Sequence, residues 1–193
     1  MQIPTRKGEP KFLEKDEAFG KANFEKMRTL RPAFSKDGTV TAASASPMSD
    51  GASSMILASE AAVKEKGLTA QAKILAYAEA EQDPMFFTTA PVLAAKKVLA
   101  KADLKMEDIE YFEVNEAFAV VPLAFMKVLG VPHEKVNIHG GALAVGHPLG
   151  NSGSRIVVTL LNVLKQKKAK YGMAAICNGG GGASALIVEN LDF

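Results

Sequence analysis

The side chains best suited to covalent or proton-transfer chemistry in this sequence are few, and they fall close together. Cys177 is the only cysteine and stands directly before Asn178 and four successive glycines, Gly179 to Gly182. A lone cysteine is commonly a small buried hydrophobe. Four residues without side chains, however, cost backbone entropy. That cost is explicable where a ligand or another backbone comes close, or where amide N–H groups must point at an oxyanion. A thiol beside such amides can have its pKa lowered and act as acid, base or nucleophile. All three histidines lie between His133 and His147, and ten of the 16 glycines lie between Gly140 and Gly182, so ligand-approaching loops are expected there.

His147 sits between Gly146 and Pro148 in GGALAVGHPLGNSG, in a loop that feeds a helix N-terminus. Such a loop restricts the backbone and aims the imidazole, as general acid and base chemistry requires. Many loop histidines are simply solvated, and His133, between Pro132 and Glu134, reads that way. His139 is open to both a structural and a chemical reading. Asn115, in VNEAF, reads on its own as a helix N-cap, with Glu116 favoured in the first turn by the helix dipole. The Gly140–Gly153 loop lacks the GxxxxGK[ST] spacing, and no GxGxxG opens a helix after a strand, which argues against a nucleotide fold. The histidine spacing does not match a zinc helix either, and no catalytic metal is expected.

The elements that would position these groups alternate in type. Residues 1–38 are charged, carry Pro4, Pro10 and Pro32, and read as loop-rich with one short helix near Phe24 to Leu30. Thr39 to Ala43 is a run of small, β-compatible residues, followed by a turn through Ser46, Pro47, Ser49, Asp50 and Gly51. Ser53 to Ala58 has the length and composition of a strand. Ser59 can cap a helix through Lys66 that Gly67 stops. Gln71 to Ala80 suits a strand, Pro91 opens a helix to about Ala102, and Ile109 to Val114 suits another strand. A helix is expected from Glu116 to Leu129, with Pro122 kinking it or near its start. A further helix has Ile156, Val157, Leu160, Leu161 and Leu164 on one face, and strands Gly172 to Cys177 and Ala183 to Val188 close the chain as a hairpin. Helices alternating with strands imply an α/β layered domain with a mixed sheet.

Composition excludes other classes. With 23 basic and 21 acidic residues spread along the chain there is no cationic field for nucleic acid. The apolar run from Ala117 to Val131 is interrupted by Pro122 and Lys127 and falls short of the ~20 residues of a membrane span. The first residues lack the apolar core of a secretory signal, so the cytoplasm is the default compartment. One cysteine allows no intramolecular disulfide, and a chain of 193 residues can bury a core without such staples.

Three motifs occur together and in order: NEAF at Asn115 to Phe118, GGALAVGHPLGNSG at Gly140 to Gly153, and CNGGGGAS at Cys177 to Ser184. Together they closely resemble the thiolase family, and the acetyl-CoA acetyltransferases most of all. The likeness extends through LRPAF at Leu30 to Phe34 and VTAASASPMSDGA at Val40 to Ala52. It implies a five-layered αβαβα enzyme of two similar halves, of which residues 39–193 would be the C-terminal αβα half, a mixed sheet covered by helices. Residues 1–38 would be a remnant of the CoA-binding loop region.

The resemblance also implies roles. His147 would activate an acyl-carrying cysteine of the N-terminal half, a half these residues do not include, and then help hold the thioester oxygen of the second acyl-CoA. Asn115 would position a water sharing that oxyanion site. Cys177 would move the α-proton, and the Gly179 N–H would join a second oxyanion hole. Ala42 and Ser46 would touch the CoA pantetheine, with Phe118 beside it. The family's arginine toward the CoA nucleotide has no counterpart near Phe19 to Lys21. In potassium-activated members, backbone oxygens at the positions of Ala42, Ala43, Ala45 and Leu143 hold the ion.

The expected function is therefore acyl transfer between CoA thioesters, by Claisen condensation or by thiolytic cleavage of acetoacetyl-CoA. Expected partners are acyl-CoA, an N-terminal thiolase half and further copies of the chain, and the chain alone is expected to be inactive. A non-catalytic CoA-binding or assembly module of the same fold is the alternative. A carrier-protein condensing enzyme fits less well, because those enzymes present a second histidine where this chain has CNGGGG.

Overall fold

A computed structural model describes residues 2–6, 8–15, 20 and 22–192. A two-stranded antiparallel ribbon, β1 (Gln2–Ile3) with β2 (Lys11–Phe12), opens the chain, and the helical turn α1 (Phe24–Met27) follows. Then come α2 (Glu60–Lys66), β3 (Ala72–Glu81), α3 (Ala90–Ala102), β4 (Tyr111–Val114) and α4 (Val120–Leu129). The short α5 (Ala142–Val145), α6 (Ser152–Lys167), β5 (Tyr171–Cys177) and β6 (Gly182–Asn190) complete it.

Four strands form one mixed sheet in the order β3-β6-β5-β4, with β4 parallel to β5 and the other neighbours antiparallel. Side chains alternate across it. Phe112, Val114, Met173, Ala175, Cys177, Ala185 and Ile187 bury one face against α3 and α4. Ala174 and Val188 bury the other against Ile156, Leu160 and Leu164 of α6. The result is an α/β layering of helix, sheet and helix, as the alternation of elements predicts.

Local signals account for several boundaries. Ser59 accepts from the Ala62 N–H at the start of α2, and Gly67 ends that helix in the left-handed region at φ 61°. Pro91 and Pro122 both stand in first turns, where a missing N–H leaves no helical bond unmade.

Three expectations are corrected. The helix after VNEAF begins at Val120, because residues 117–119 pair with the segment 44–46 instead: Ser46 N–H donates to Ala117 O at 3.1 Å and Ala119 N–H to Ser44 O at 2.9 Å. Asn115 therefore caps no helix. Ser53 to Ala58 has strand composition but joins no sheet; Ile56 is 94% exposed and Leu57 73%. A strand needs a partner, and none of the described strands pairs with this segment. Near the N-terminus, the helix expected to Leu30 ends at Met27, and the β1–β2 ribbon, turning where Gly8 has φ 102°, stands in what reads as loop. Phe19 and Lys21 lie outside the described residues.

The β5–β6 turn is tight. Gly181 has φ 89°, and a Cβ there would collide with the Gln82 carbonyl oxygen. Gly181→Ala is expected to lower unfolding free energy by about 1 to 3 kcal/mol. Gly150→Ala, at a position with nothing within 4 Å of an added Cβ, should change it little. Urea unfolding of the two variants beside wild type checks both.

Candidate active site

β4 and β5 run parallel, so their C-terminal ends deliver residues to one edge of the sheet, where α/β folds commonly place ligands. Asn115 follows β4, its N–H donates to Ala175 O at 2.9 Å, and its side chain is fully buried. Cys177 ends β5.

His147 reaches this edge from the Gly146–Pro148 loop. Its own N–H donates to Pro47 O at 2.8 Å, which ties the loop to the 47–49 segment. Gly146, at φ 92°, has no room for a Cβ against Ser49. Ser152 Oγ lies 2.6 Å from His147 Nδ1 and 3.2 Å from Pro148 O. A carbonyl only accepts, so the Ser152 hydroxyl donates to Pro148 O and accepts from Nδ1–H. Nε2 is then unprotonated and accepts from Asn115 Nδ2–H at 3.3 Å. Burial first, and then the Arg155 cation, push the His147 pKa below its ordinary value. At neutral pH the ring is a neutral base of defined tautomer.

Glu116 stands outside the first turn of α4, so it is not the dipole partner expected of it. Its carboxylate accepts from Asn137 Nδ2–H at 2.9 Å and from the Leu143 N–H at 3.1 Å, and a Cβ at Gly141 would strike it. Asn137, held at φ 49°, also pairs with both backbone groups of Val114 at 2.8 Å. This knot fixes the residue after β4 against the glycine loop that carries His147. Ser152, Glu116 and Asn137 escape a motif reading of single side chains; an Asn able to satisfy both groups of a strand end is the one signal Asn137 carries.

Cys177 is 9% exposed, and burial raises its thiol pKa against an opposing backbone hydrogen bond. No hydrogen bond joins it to His147 or Asn115 among the described residues. In the loop beyond it, Asn178 Oδ1 accepts from the Gly180 and Gly182 N–H groups at 3.0 and 3.2 Å. Asn178 N–H donates to Gly182 O and Gly181 N–H to Asn178 O. The Gly179 N–H alone of these amides has no acceptor among the described residues.

The remaining expected residues flank this edge. Ser46 Oγ donates to Ala117 O at 3.0 Å, and Ala45 bridges Phe118. Phe118 stacks edge-on against Phe34 and Phe87 at 5.8 and 6.1 Å. Ala42 lines a concavity of about 460 Å³ with Leu30, Arg31, Pro32 and Ala33. The carbonyls of Ala42, Ala43 and Ala45 accept no hydrogen bond among the described residues, and free carbonyl oxygens suit a hard cation. Leu143 lies in α5. His133 is exposed, and His139 meets Gln166 Oε1 at 2.9 Å, away from His147. Among the described residues no helix is long and apolar enough to cross a membrane.

Residues 68–190 match the family model for the thiolase C-terminal domain, and residues 1–61 match that for the thiolase N-terminal domain. The chain is 51% identical to the cytosolic acetyl-CoA acetyltransferase ERG10 of Gibberella zeae, over 99% of this chain and 48% of that protein. It is 52% identical to a probable acetyl-CoA acetyltransferase of Dictyostelium discoideum, over 99% and 47%. Among solved structures, Acat5 thiolase from Ascaris suum in complex with coenzyme A superposes with TM-score 0.88 at 50% identity, covering 93% of this chain and 47% of that one. Human mitochondrial 3-ketoacyl-CoA thiolase superposes with TM-score 0.90 at 41% identity, covering 98% and 48%. The chain spans about half the length of these relatives.

Glu113, 1% exposed behind Asn115, is pushed up to about 8 by burial, with Arg155 opposing and Glu116 adding. Its proton is held more tightly folded than unfolded. The stability this confers is complete below the unfolded value of 4.5 and is lost as pH rises toward 8. Glu113→Gln, which cannot ionise, is expected to gain stability relative to wild type as pH rises from 5 to 8.5, read from paired urea midpoints.

Proposed function

The chain belongs to the thiolase family, and on that footing we propose that it carries the C-terminal half of the active site of an acetyl-CoA C-acetyltransferase. The observation that carries the reading is the His147 chain: a neutral imidazole, its Nδ1–H fixed by Ser152 and its Nε2 turned to Asn115.

In this reading an N-terminal half, in the same polypeptide or another, supplies the cysteine that takes the acyl group. His147 Nε2 removes the proton of that cysteine and later, with a water held by Asn115, helps stabilise the thioester oxygen of the second acyl-CoA. Cys177 moves the α-proton. A thiol whose pKa burial raises keeps its proton near neutral pH and so has one to give to the far more basic leaving carbanion in thiolytic cleavage. In condensation it must act as the base, which calls for the completed site to favour its thiolate. The vacant Gly179 N–H serves the oxyanion of the acyl-cysteine. Ala42 and Ser46 face the pantetheine with Phe118 beside it, and residues 1–38 belong to the loop region around CoA, while residues 39–50 work with the body that follows. Potassium, when bound, would sit on the carbonyls of Ala42, Ala43, Ala45 and Leu143 and stiffen this loop electrostatically.

The exposed segment around Ile56 and Leu57, which lies within the match to the N-terminal family model, supports docking of that half. The same apolar exposure favours self-association of the chain alone. Identity to a cytosolic relative supports a cytoplasmic setting.

Mixing or fusing the chain with an N-terminal thiolase half is expected to give acetoacetyl-CoA cleavage by CoA, while the chain alone gives none. His147→Ala should then reduce kcat by about 100-fold or more. A folded fusion without activity, or one indifferent to His147→Ala, would overturn the assignment; CoA binding without turnover that survives alkylation of Cys177 would favour the non-catalytic module. In sizing measurements the isolated chain is expected to run larger than a monomer.

A further inference from the structure

Behind the His147 chain lies a buried acid beside a cation, Glu113 and Arg155, that the acyl-transfer reading leaves unused. Glu113 precedes Asn115 by two residues, so both side chains leave the same side of the chain, toward α6. Arg155 stands three residues after Ser152 on α6, on the same helix face. Two rungs therefore join the same strand to the same helix, Asn115–His147–Ser152 at the sheet edge and Glu113–Arg155 one step inside.

The inner rung is poorly made as a stabilising contact. Arg155 Nη1 lies 3.9 Å from Glu113 Oε2, too far for a hydrogen bond, with side-chain exposures of 19% and 1%. Glu113 Oε1, Glu113 Oε2 and Arg155 Nε have no hydrogen-bond partner among the described residues. Apolar residues of similar volume often serve stability as well as such a pair or better. Stability therefore does not explain these two side chains, whereas their position does. Near neutral pH Glu113 retains its proton, so the guanidinium charge behind the imidazole is not cancelled.

We propose that Arg155 is a positioning residue for His147 and that Glu113 keeps it in place by packing: the buried carboxyl lies 3.9 Å from the guanidinium on the α6 side of β4, and the cation held there sets the electrostatic environment of the imidazole that Ser152 orients. Other charges near the ring are accounted for. Glu116, after β4, is committed to Asn137 and Leu143, and Asp50, on the segment that pairs with the His147 backbone, is exposed and screened by water.

The inference concerns the site of the proposed acyl transfer, but its test needs no turnover. His147 is titrated by NMR of its ring nitrogens in the 193-residue chain, with His147→Gln identifying the signal. Wild type is expected to titrate below 6.5. Arg155→Met should raise the midpoint measurably, because removing a nearby cation relieves the protonated ring, and Arg155→Lys should keep it low. Glu113→Ala, which frees the guanidinium, should raise it part of the way. A purely structural pair would lower the melting temperature of these variants and leave the His147 midpoint where it was. A wild-type midpoint at or above 6.5, or an unchanged midpoint in folded Arg155→Met, overturns the proposal; if Arg155→Met does not fold, Arg155→Gln is read by the same criterion. Unchanged titration in Glu113→Ala overturns the anchoring role. A shifted titration in a chain that proves inactive when completed would overturn the acyl-transfer reading alone.

Discussion

The imidazole of His147 is gripped at both nitrogens, and that double grip requires the C-terminal end of β4 and the N-terminal end of α6 to stay in register. One hydrogen bond comes from the residue after the strand and the other from the first residue of the helix. A slip of β4 by one residue would turn Asn115 to the other face of the sheet, so the parallel pairing of Val114 with Ala175 is as much part of the site as the histidine. The knot of Glu116 and Asn137 secures the same strand end from the side. Polar groups buried this fully are costly unless satisfied; the Asn115 amide nitrogen has its partner in His147, whereas its carbonyl oxygen has none among the described residues.

Elements marked by short-range signals were legible in the sequence. Ser59 and Gly67 bound α2, the proline in the first turn of α3 marks its start, and the apolar stripe of α6 is unambiguous. Asn115 illustrates the opposite case. Capping preference describes an asparagine with only its own backbone to bind, whereas here a histidine 32 residues away holds its amide and the 44–46 segment takes the backbone that would have begun the helix. The strand-like run Ser53 to Ala58 was misplaced for a related reason: periodicity reports what a segment could pair with, never whether the partner is present.

Within the site, the motifs identified the right loops but not the groups that tune them. GGALAVGHPLGNSG contains both His147 and Ser152, yet only the folded loop assigns the tautomer. Glu113 and Arg155 carry no motif of their own, because a lone acid in a strand and a lone base in a helix usually face water. What distinguishes them is burial, a property of the packed sheet and not of the local sequence. The glycines divide in the same way: Gly146 and Gly181 are explained by positive φ and crowding, while Gly179 matters for an amide left uncommitted.

That uncommitted amide has a further consequence. Four adjacent glycines suggest a slack loop with many donors to offer, but Asn178 gathers its neighbours' N–H groups inward and closes the turn on itself. What the backbone leaves uncommitted is a single amide, which can meet one oxygen at a time; a second donor for a flat or doubly charged group would have to come from a side chain, such as the exposed amide of Asn178. The backbone of this turn thus limits what it offers by committing most of its donors to itself.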